Sequence, residues 1–414
     1  MHLESLALQD FRTYESLNLE LTPGITVFLG SNGVGKTNIV EAVDYAATLG
    51  SHRVSTTAPM IHMGAQRAVI RAGVRRATHR TTLEFALESG KANTVAINRG
   101  APTRARDALG TVHTVLFSPE DLSLIKGDPS HRRNFLDDLA TSMRPFLAGV
   151  RADYDKSVKQ RNALLKSARA AGRITEAHLA TLAAWNDQLA TTGAQILYAR
   201  IQLIKALEPE VHRAYAQLAE GPRLPTLQYR SQVVPAEAEG RVENLEHLSV
   251  AQLRGLMLTA CDQMRDREIE RASSLVGPHR DELELTLGQL PARGYASHGE
   301  MWSYALALRL GSWYVHLDDD RTEGASPILI LDDVFAELDA RRRDRLAQAV
   351  AGAEQVLVTA AVDADVPQAL REDQRPVTVV RVTPGQAVLT GPGHDAAVGR
   401  APDVETDPGA GELR

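Results

Sequence analysis

The chain has 414 residues, of which 43% are hydrophobic and 24% are charged, and its formal net charge is −6. The length favours two domains over one small core. No apolar run approaches the roughly 20 residues of a membrane-spanning helix, so we expect no membrane span. The negative charge excludes a uniformly basic nucleic-acid-binding protein, and phosphate binding would therefore need a local basic patch. The single cysteine, Cys261, excludes an internal disulfide and predicts a reducing, cytoplasmic location.

The first part of the chain predicts strands and one helix. Short apolar runs separated by turn residues are typical of strands, and they occupy residues 3–8, 17–21 and 25–29. A helical pattern follows over residues 37–49. Weaker alternation of apolar and polar residues predicts further strands over residues 68–74, 81–87, 94–97 and 112–117.

The pattern becomes helical from about residue 140 to about residue 219. Apolar residues recur every seven positions, as in the seam of a coiled coil, at Leu182, Leu189, Ile196 and Leu203. An earlier apolar stripe predicts an antiparallel partner helix and consists of Leu147, Val150, Tyr154, Val158 and Leu165. Gly172 and Thr175 are suited to the turn between the two helices and to the next N-cap. We predict a hairpin of two short helices rather than a long arm.

The last part of the chain returns to strands. A helix is predicted over residues 250–272, and β structure over residues 275–390. Residues 393–414 are rich in Gly, Pro, Ala and acidic residues, which predicts a disordered tail. We therefore predict an α/β head made of residues 1–140 and 270–392, with residues 141–269 inserted as a helical lobe.

Residues 30–37 carry the strongest chemical signal. The sequence Gly30-Ser31-Asn32-Gly33-Val34-Gly35-Lys36-Thr37 matches G-x-x-x-x-G-K-[ST] and lies between a predicted strand and a predicted helix. Its glycines let backbone N–H groups turn toward phosphates, and the helix N-terminus adds positive charge. We expect Lys36 to reach the β- and γ-phosphates of ATP and the Thr37 hydroxyl to bind Mg²⁺. A chance glycine turn is the weaker alternative.

Residues 327–333 read Pro-Ile-Leu-Ile-Leu-Asp-Asp and predict a buried parallel strand that ends in two carboxylates. Asp332 is placed to hold Mg²⁺ through water, and Asp333 is placed to orient or deprotonate the attacking water. A strand that ends in a solvated acidic turn is the alternative. The phosphate loop upstream favours the catalytic interpretation.

A third motif, Ser297-His298-Gly299-Glu300, precedes an apolar helix predicted over residues 301–317. In a purely structural interpretation, Ser-x-x-Glu is a capping box that ends the helix at its N-terminus. A serine and a glycine at a helix N-terminus also form an anion site. A single nucleotide needs only one such site, so a second one predicts ATP shared between two subunits.

These motifs together resemble a known family. A phosphate loop, Ser-x-Gly-Glu before a helix, and Leu-Asp-Asp followed by residues 336–339 (AELD) follow the motif order of the ABC ATPases. The helical insertion between the motifs is similar to that of the SMC-like repair ATPases. Within these, the chain resembles the RecF family of bacterial recombination mediators, at residues 8–14 (LQDFRTY), 50–53 (GSHR), 117–122 (FSPEDL), 132–137 (RRNFLD), 277–281 (GPHRD) and 331–339 (LDDVFAELD).

The resemblance implies an ATP-dependent homodimer that binds duplex DNA and single-strand/duplex junctions and is associated with the nucleoid. It implies action with RecR and RecO to help load RecA, in gap repair, replication maintenance and the SOS response. Slow, DNA-stimulated ATP hydrolysis would reset the switch.

The resemblance also implies roles for individual residues. ATP would lie on residues 30–37, with Mg²⁺ on Thr37 and Asp332. Lys36, Asp333 and Ser297 would be the catalytic groups, with Ser297 and Gly299 at the γ-phosphate of the opposing subunit. Asp339 would lie in a loop that bridges the subunits, and Arg12 and Arg53 would lie near the nucleotide.

The chain departs from the wider ABC pattern in two respects. Asp333 stands where most ABC ATPases carry Glu, and its shorter side chain predicts slower turnover. Ala360 and Ala361 follow the strand pattern of residues 356–359 where many ABC proteins have a switch histidine. There is also no glutamine near residues 118–120, so that no motif identifies the γ-phosphate sensor.

Basic residues cluster in three places, and such clusters are more often solvated faces than binding sites. The clusters are Arg71, Arg75, Arg76 and Arg80; Arg99, Arg104 and Arg106; and Lys156, Lys159, Arg161, Lys166, Arg169 and Arg173. Duplex phosphates lying across a dimer would use such patches. The preference for arginine over lysine suits phosphate contacts, and a GC-rich genome would produce it equally well.

Two other functions remain open. A structural SMC-like clamp that tethers chromosomes would need long coiled-coil arms, and the predicted insertion is short. A transporter nucleotide-binding subunit would be expected to carry the glutamine and switch-histidine motifs, which are missing here.

Overall fold

The computed structural model describes residues 1–172, 175–233 and 245–390. The strands are β1 (His2–Phe11), β2 (Tyr14–Glu20), β3 (Gly24–Leu29), β4 (Arg67–Arg76), β5 (His79–Glu88), β6 (Thr94–Ile97), β7 (Thr103–Arg104), β8 (Thr114–Phe117), β9 (Pro225–Arg230), β10 (Glu282–Leu287), β11 (Leu290–Pro291), β12 (Ile328–Asp332), β13 (Gln355–Ala360), β14 (Val377–Thr383) and β15 (Gln386–Thr390). The helices are α1 (Lys36–Thr48), α2 (Leu122–Lys126), α3 (Pro129–Met143), α4 (Leu147–Ala170), α5 (Glu176–Leu218), α6 (Val250–Arg271), α7 (Ala292–Tyr295), α8 (His298–Asp319), α9 (Ala340–Ala349) and α10 (Gln368–Arg371). The predicted α/β class is confirmed, and the predicted disordered tail lies outside the described residues.

The centre of the head is a six-stranded sheet in the order β15-β14-β3-β13-β12-β8, parallel except for the edge strand β15. Its strands are continuous apolar runs because both faces of the sheet are covered. In β12, Ile328 and Ile330 point into one core, whereas Leu329 and Leu331 point into the other. The parallel arrangement brings the carboxyl ends of β3, β12 and β13 to one edge of the sheet.

Helix α1 lies between this sheet and a second, antiparallel sheet in the order β2-β1-β4-β5-β6-β7. Most of its residues are buried, including the polar side chains of Asn38, Glu41 and Asp44. A helix covered on both sides cannot rotate or shift without disturbing its packing against both sheets. The loop that precedes α1 is therefore held in a fixed position.

The predicted helical hairpin is confirmed, but its second helix is much longer than expected. Helices α4 and α5 pack against each other, and Leu182 and Leu189 of the heptad seam are buried. Helix α5 has 43 residues, because its second half continues into the head and packs against α8. Leu207 and Val211 of α5 lie against Gly311 of α8, where a Cβ at position 311 would be 2.8 Å from a Val211 methyl group.

The packing crosses the predicted domain boundaries. One core cluster contains residues of the central sheet, of α3, α5 and α8, and of α6. Strand β9, from within the predicted insertion, pairs with β10 of the head. The boundaries at residues 140 and 270 thus stay a prediction. Among the residues that the structure describes, no helix is long and apolar enough to cross a membrane.

Candidate functional site

The loop from residue 30 to residue 35 joins the end of β3 to the start of α1. Gly33 and Gly35 have φ angles of 84° and 113°, a region that side chains with a Cβ rarely adopt, so glycine is needed at both positions. The loop closes around Lys36, whose Nζ donates to the carbonyl oxygens of Gly30 at 2.9 Å and Ser31 at 3.2 Å. This places a buried ammonium group within a ring of backbone beside a helix N-terminus, which is the arrangement that binds phosphates.

The expected metal ligands lie close together. The Thr37 hydroxyl donates to Asp332 Oδ1 at 3.1 Å, although the two residues are 295 positions apart in the chain. The strand order explains this contact, because β12 ends at the same sheet edge as β3. A hydroxyl and a carboxylate are the oxygen donors that Mg²⁺ prefers when it also binds phosphate and water. The residues present therefore suit the metal, and their role as its ligands stays a prediction.

Thr359 at the end of β13 organises both carboxylates, and the sequence analysis did not single it out. Its hydroxyl donates to Asp332 Oδ1 at 2.7 Å and accepts from the backbone N–H of Asp333 at 2.8 Å. Asp333 has a φ of 50°, so this hydrogen bond helps to hold an uncommon backbone conformation. The strand register identifies Thr359 as a site residue, because Thr359 of β13 is paired with Asp332 of the parallel strand β12.

His52 also lies beside the Asp332 carboxylate. It belongs to residues 50–53, one of the stretches on which the family resemblance rests. Its Nε2 is 3.8 Å from Asp332 Oδ2, and neither ring nitrogen has a hydrogen-bond partner in the described part of the chain. Burial raises the pKa of Asp332, the charge of Asp333 adds to this, and Thr359 and His52 act in the opposite direction. A divalent cation would stabilise a buried carboxylate beside a second, partly buried one.

Arg12 and Arg53 both reach the first turns of α1, and their place near a nucleotide stays a prediction. Arg12 Nε donates to Glu41 at 2.9 Å, and its Nη1 donates to the Pro59 carbonyl at 2.7 Å. Arg53 Nη1 donates to Asn38 Oδ1 at 3.0 Å. Glu41, which is fully buried, was not recognised from the sequence, and it already neutralises much of the Arg12 charge.

Ser297 forms the N-cap of α8, so that the capping-box interpretation is confirmed. The Ser297 N–H donates to the Glu300 carboxylate at 2.9 Å, and the Glu300 N–H donates to Ser297 Oγ at 3.3 Å. Within the described residues, no hydrogen bond or ion pair joins residues 297–300 to residues 30–37. Asp339 caps α9 by accepting from the Arg342 N–H at 3.0 Å. The roles proposed for Ser297, Gly299 and Asp339 at a nucleotide therefore stay predictions.

The basic clusters differ in how far acidic residues neutralise them. In the first cluster every arginine forms an ion pair, with Glu84, Glu4 or Asp320. In the other two clusters, most residues that the structure describes are exposed and have no acidic partner: Arg99, Arg104, Arg106, Lys156, Lys159, Lys166 and Arg169. Arg161 is an exception and was wrongly grouped with surface residues, because it is fully buried and paired with Glu268. Arg173 lies outside the described residues.

Known proteins are similar to this chain over most of its length. The family model for the RecF/RecN/SMC N terminal domain matches residues 2–385. The chain is 52% identical over 401 residues to the DNA replication and repair protein RecF of Pseudarthrobacter chlorophenolicus, covering 93% of this chain and 98% of the relative. It is 55% identical over 374 residues to the RecF protein of Streptomyces avermitilis, covering 89% of this chain and 96% of the relative.

The chain belongs to the RecF family. Among solved structures, the ATP-bound recombination mediator protein RecF of the RecFOR pathway superimposes with a TM-score of 0.81 at 23% identity, covering 94% of this chain and 98% of that one. An Smc head bound to the C-terminal winged-helix domain of ScpA gives a TM-score of 0.52 at 15% identity. These likenesses establish the fold, which is the ABC-type ATPase head of RecF and SMC proteins. The fold expected from the motif order is thus confirmed for this RecF-family chain.

Proposed function

We propose that this chain is an ATP-gated DNA-binding switch of recombinational repair, in which two copies close around shared nucleotides. The observation that carries the proposal is the separation of two half-sites within one chain. Residues 30–37 with Asp332 and Asp333 form one half, and the capped N-terminus of α8 with Ser297 and Gly299 forms the other. ATP held by the first half of one copy is completed by the second half of another copy.

Hydrolysis in this proposal uses the carboxyl edge of the central sheet. The backbone N–H groups of residues 30–35 and Lys36 hold the phosphates, and Thr37 and Asp332 would hold Mg²⁺, which neutralises charge that develops on the phosphates. Asp333 accepts a proton from, or orients, the attacking water. Turnover is slow, because the aspartate side chain is shorter than the usual glutamate, and hydrolysis resets the switch.

The partners follow from family membership and from the exposed charges. The proposal includes binding to duplex DNA and single-strand/duplex junctions, action on the nucleoid, and loading of RecA together with RecR and RecO. Its place would be gap repair, replication maintenance and the SOS response. An SMC-like tether is less favoured, because the α4–α5 hairpin provides no long arm.

The exposed basic residues that lack an acidic partner in the described part of the chain are the best candidates for phosphate contacts. They lie in and around β7, from the turn after β6 to the turn after β7, and on the face of α4 that carries Lys156, Lys159 and Lys166. The arginines of β4 and β5 are weaker candidates because their charges are already paired.

A DNA titration tests the proposal. Binding of junction, duplex and single-stranded DNA is measured with and without ATP and Mg²⁺ over a range of salt concentrations. We expect ATP to increase affinity for duplex and junction DNA, and log K to fall linearly with log salt by about 0.9 per phosphate contact. Lys156→Glu with Lys159→Glu should reduce that slope. Equal DNA affinity with and without ATP would contradict a nucleotide-gated switch.

A further inference from the structure

Arg342 on α9 lies directly against the first turn of α8. Its Nε donates to Ser303 Oγ at 3.0 Å, and its Nη1 pairs with the Asp339 carboxylate. Its side chain retains only 28% of its exposure. One guanidinium group therefore connects the cap of α9 to the helix that begins at Ser297.

The same guanidinium occupies the space that a side chain at position 299 would need. Gly299 does not have a positive φ angle, so backbone conformation does not require glycine there. A Cβ at position 299 would instead lie 2.6 Å from Arg342 Nη2 and 2.9 Å from its Cζ. Any larger residue at this position must displace the planar group that holds Asp339.

We propose that Arg342 is a positioning residue that fixes Ser297, Gly299 and Asp339 as one rigid half-site, which acts on the nucleotide of the opposing subunit. This inference rests on the proposed shared-nucleotide dimer and adds a residue that no motif contains. The planar fork of arginine suits the role, because it can hold the Asp339 carboxylate and the Ser303 hydroxyl in fixed directions simultaneously. The rigid unit lets the N-terminus of α8 and the Asp339 turn approach the second subunit without reordering, which lowers the entropic cost of closure.

Single substitutions give the first measurement. Arg342→Ala should leave ATP binding by the monomer unchanged and lower ATP-dependent dimerisation and hydrolysis at least tenfold, with partial recovery in Arg342→Lys. The matched control is Arg341→Ala, since Arg341 is the neighbouring residue, is 82% exposed and has only a 3.6 Å contact with Glu220. Loss of monomer ATP binding in a folded Arg342→Ala protein would overturn the proposal.

The pairing with Gly299 gives a second measurement. Gly299→Ala should show the same defect as Arg342→Ala, because the added methyl group displaces the guanidinium. The double variant should dimerise and hydrolyse ATP no worse than either single variant, since both changes remove the same placement of the Arg342 guanidinium. Multiplied losses in the double variant would show that Gly299 acts independently of Arg342 and would overturn the proposal.

Mixtures of inactive variants decide whether Arg342 acts on the opposing subunit. A heterodimer of Asp333→Asn with Arg342→Ala contains one site in which both halves are intact, so the mixture should recover hydrolysis. Ser297→Ala mixed with Arg342→Ala should not recover, because both changes damage the same half-site. No recovery in the first mixture would overturn the assignment of Arg342.

A reference mixture separates this inference from the proposed function. Asp333→Asn mixed with Ser297→Ala, which removes the Ser297 hydroxyl without adding bulk, should also recover hydrolysis if nucleotides are shared between subunits. Recovery in the reference mixture without recovery in the Arg342 mixture contradicts the inference alone. Absence of recovery in the reference mixture contradicts the shared-nucleotide dimer itself.

Discussion

Lys36 has structural contacts within the loop and a proposed role in binding. Its ammonium is held by the Gly30 and Ser31 carbonyl oxygens, and these contacts place it where phosphates would meet the loop. Lys36→Ala should weaken ATP binding by about 2–3 kcal/mol, or roughly 30- to 150-fold, because hydrogen bonds to charged groups are lost. Isothermal titration calorimetry measures the effect, with Lys91→Ala, an exposed lysine distant in sequence, as the control. Unchanged affinity in Lys36→Ala would refute the assignment.

Asp333 combines a carboxylate that we propose acts in hydrolysis with an unusual backbone conformation. Asn tolerates the left-handed region in which Asp333 lies at φ 50°, so Asp333→Asn should preserve the fold. We expect ATP binding to be retained and hydrolysis to fall about 100-fold, as is typical when a general base is removed. Single-turnover phosphate release is the measurement, and hydrolysis at the parent rate would show that the base lies elsewhere.

Thr359 should be important for turnover although it belongs to no predicted motif. Thr359→Val keeps the shape of the side chain and removes the hydroxyl that contacts Asp332 and the Asp333 N–H. We expect a loss of about 1–3 kcal/mol in stability, from the unsatisfied N–H group, and slower hydrolysis with little change in ATP affinity. Thr359→Ser should restore both properties. A Ser variant that behaves like the Val variant would indicate that the methyl group, rather than the hydroxyl, matters.

At the scale of elements, an ion pair links the carboxyl edge of the sheet to α8. Arg309 of α8 donates to Asp121 Oδ1 at 2.6 Å and 2.9 Å, and Asp121 Oδ2 accepts from the Ser118 N–H at 3.0 Å. Ser118 directly follows β8, which is the neighbour of β12. Residues 117–122, which resemble the RecF family, therefore connect the carboxyl edge of the central sheet to α8.

The far end of α8 makes stability sensitive to pH. His113 and His316 stack with ring centroids 5.2 Å apart and share Ser142 as a hydrogen-bonding neighbour. Burial lowers the pKa of His113 to about 4, and burial together with His113 lowers the pKa of His316 to about 3. Between these values and the unfolded value near 6.5, the unfolded chain binds more protons than the folded one. Stability should therefore fall as the pH is lowered through this window.

Urea unfolding at about pH 7 and about pH 5 measures this effect. Each pKa unit corresponds to about 1.4 kcal/mol, so that the pair should contribute a loss of a few kcal/mol in the parent protein. A double variant that carries His113→Gln and His316→Gln should lose less stability between the two pH values. Asp281 acts in the opposite direction, because burial raises its pKa to about 6, and this contribution is common to both proteins. Equal pH dependence in the two proteins would contradict the role of the histidines.

At the scale of the whole molecule, nucleotide should control assembly. The free protein should be mainly monomeric, since a net charge of −6 and a polar contact surface give little drive for association. ATP with Mg²⁺ should shift it to a dimer, and DNA that contacts both heads should shift it further by linkage. Ser297→Arg should block dimerisation by steric bulk and leave monomer ATP binding intact.

Sedimentation velocity of the parent and Ser297→Arg proteins, with and without ATP, tests this expectation. His298→Ala is a suitable neighbouring control, because His298 is exposed and makes no side-chain hydrogen bond within the described residues. Dimerisation of Ser297→Arg to the parent level, or loss of its monomer ATP binding, would refute the shared-nucleotide arrangement.

The sequence by itself determined those features whose cause is local. Glycines at 33 and 35, an apolar strand before them and a helix after them specify the phosphate loop, because backbone conformation and periodicity are written in neighbouring residues. The capping box at Ser297 and Glu300 and the heptad seam of α5 were predictable for the same reason.

Only the tertiary structure decided which distant residues meet. The parallel strand order brings Thr37, Asp332 and Thr359 together from three parts of the chain, and no local pattern records that order. Burial of the second half of α5 against α8 made that helix longer than its heptad seam indicated. Arg342 could not be recognised from the sequence, because its place depends on the space that Gly299 leaves on another helix. Such contacts depend on the packing of whole elements, which single-sequence periodicity does not encode.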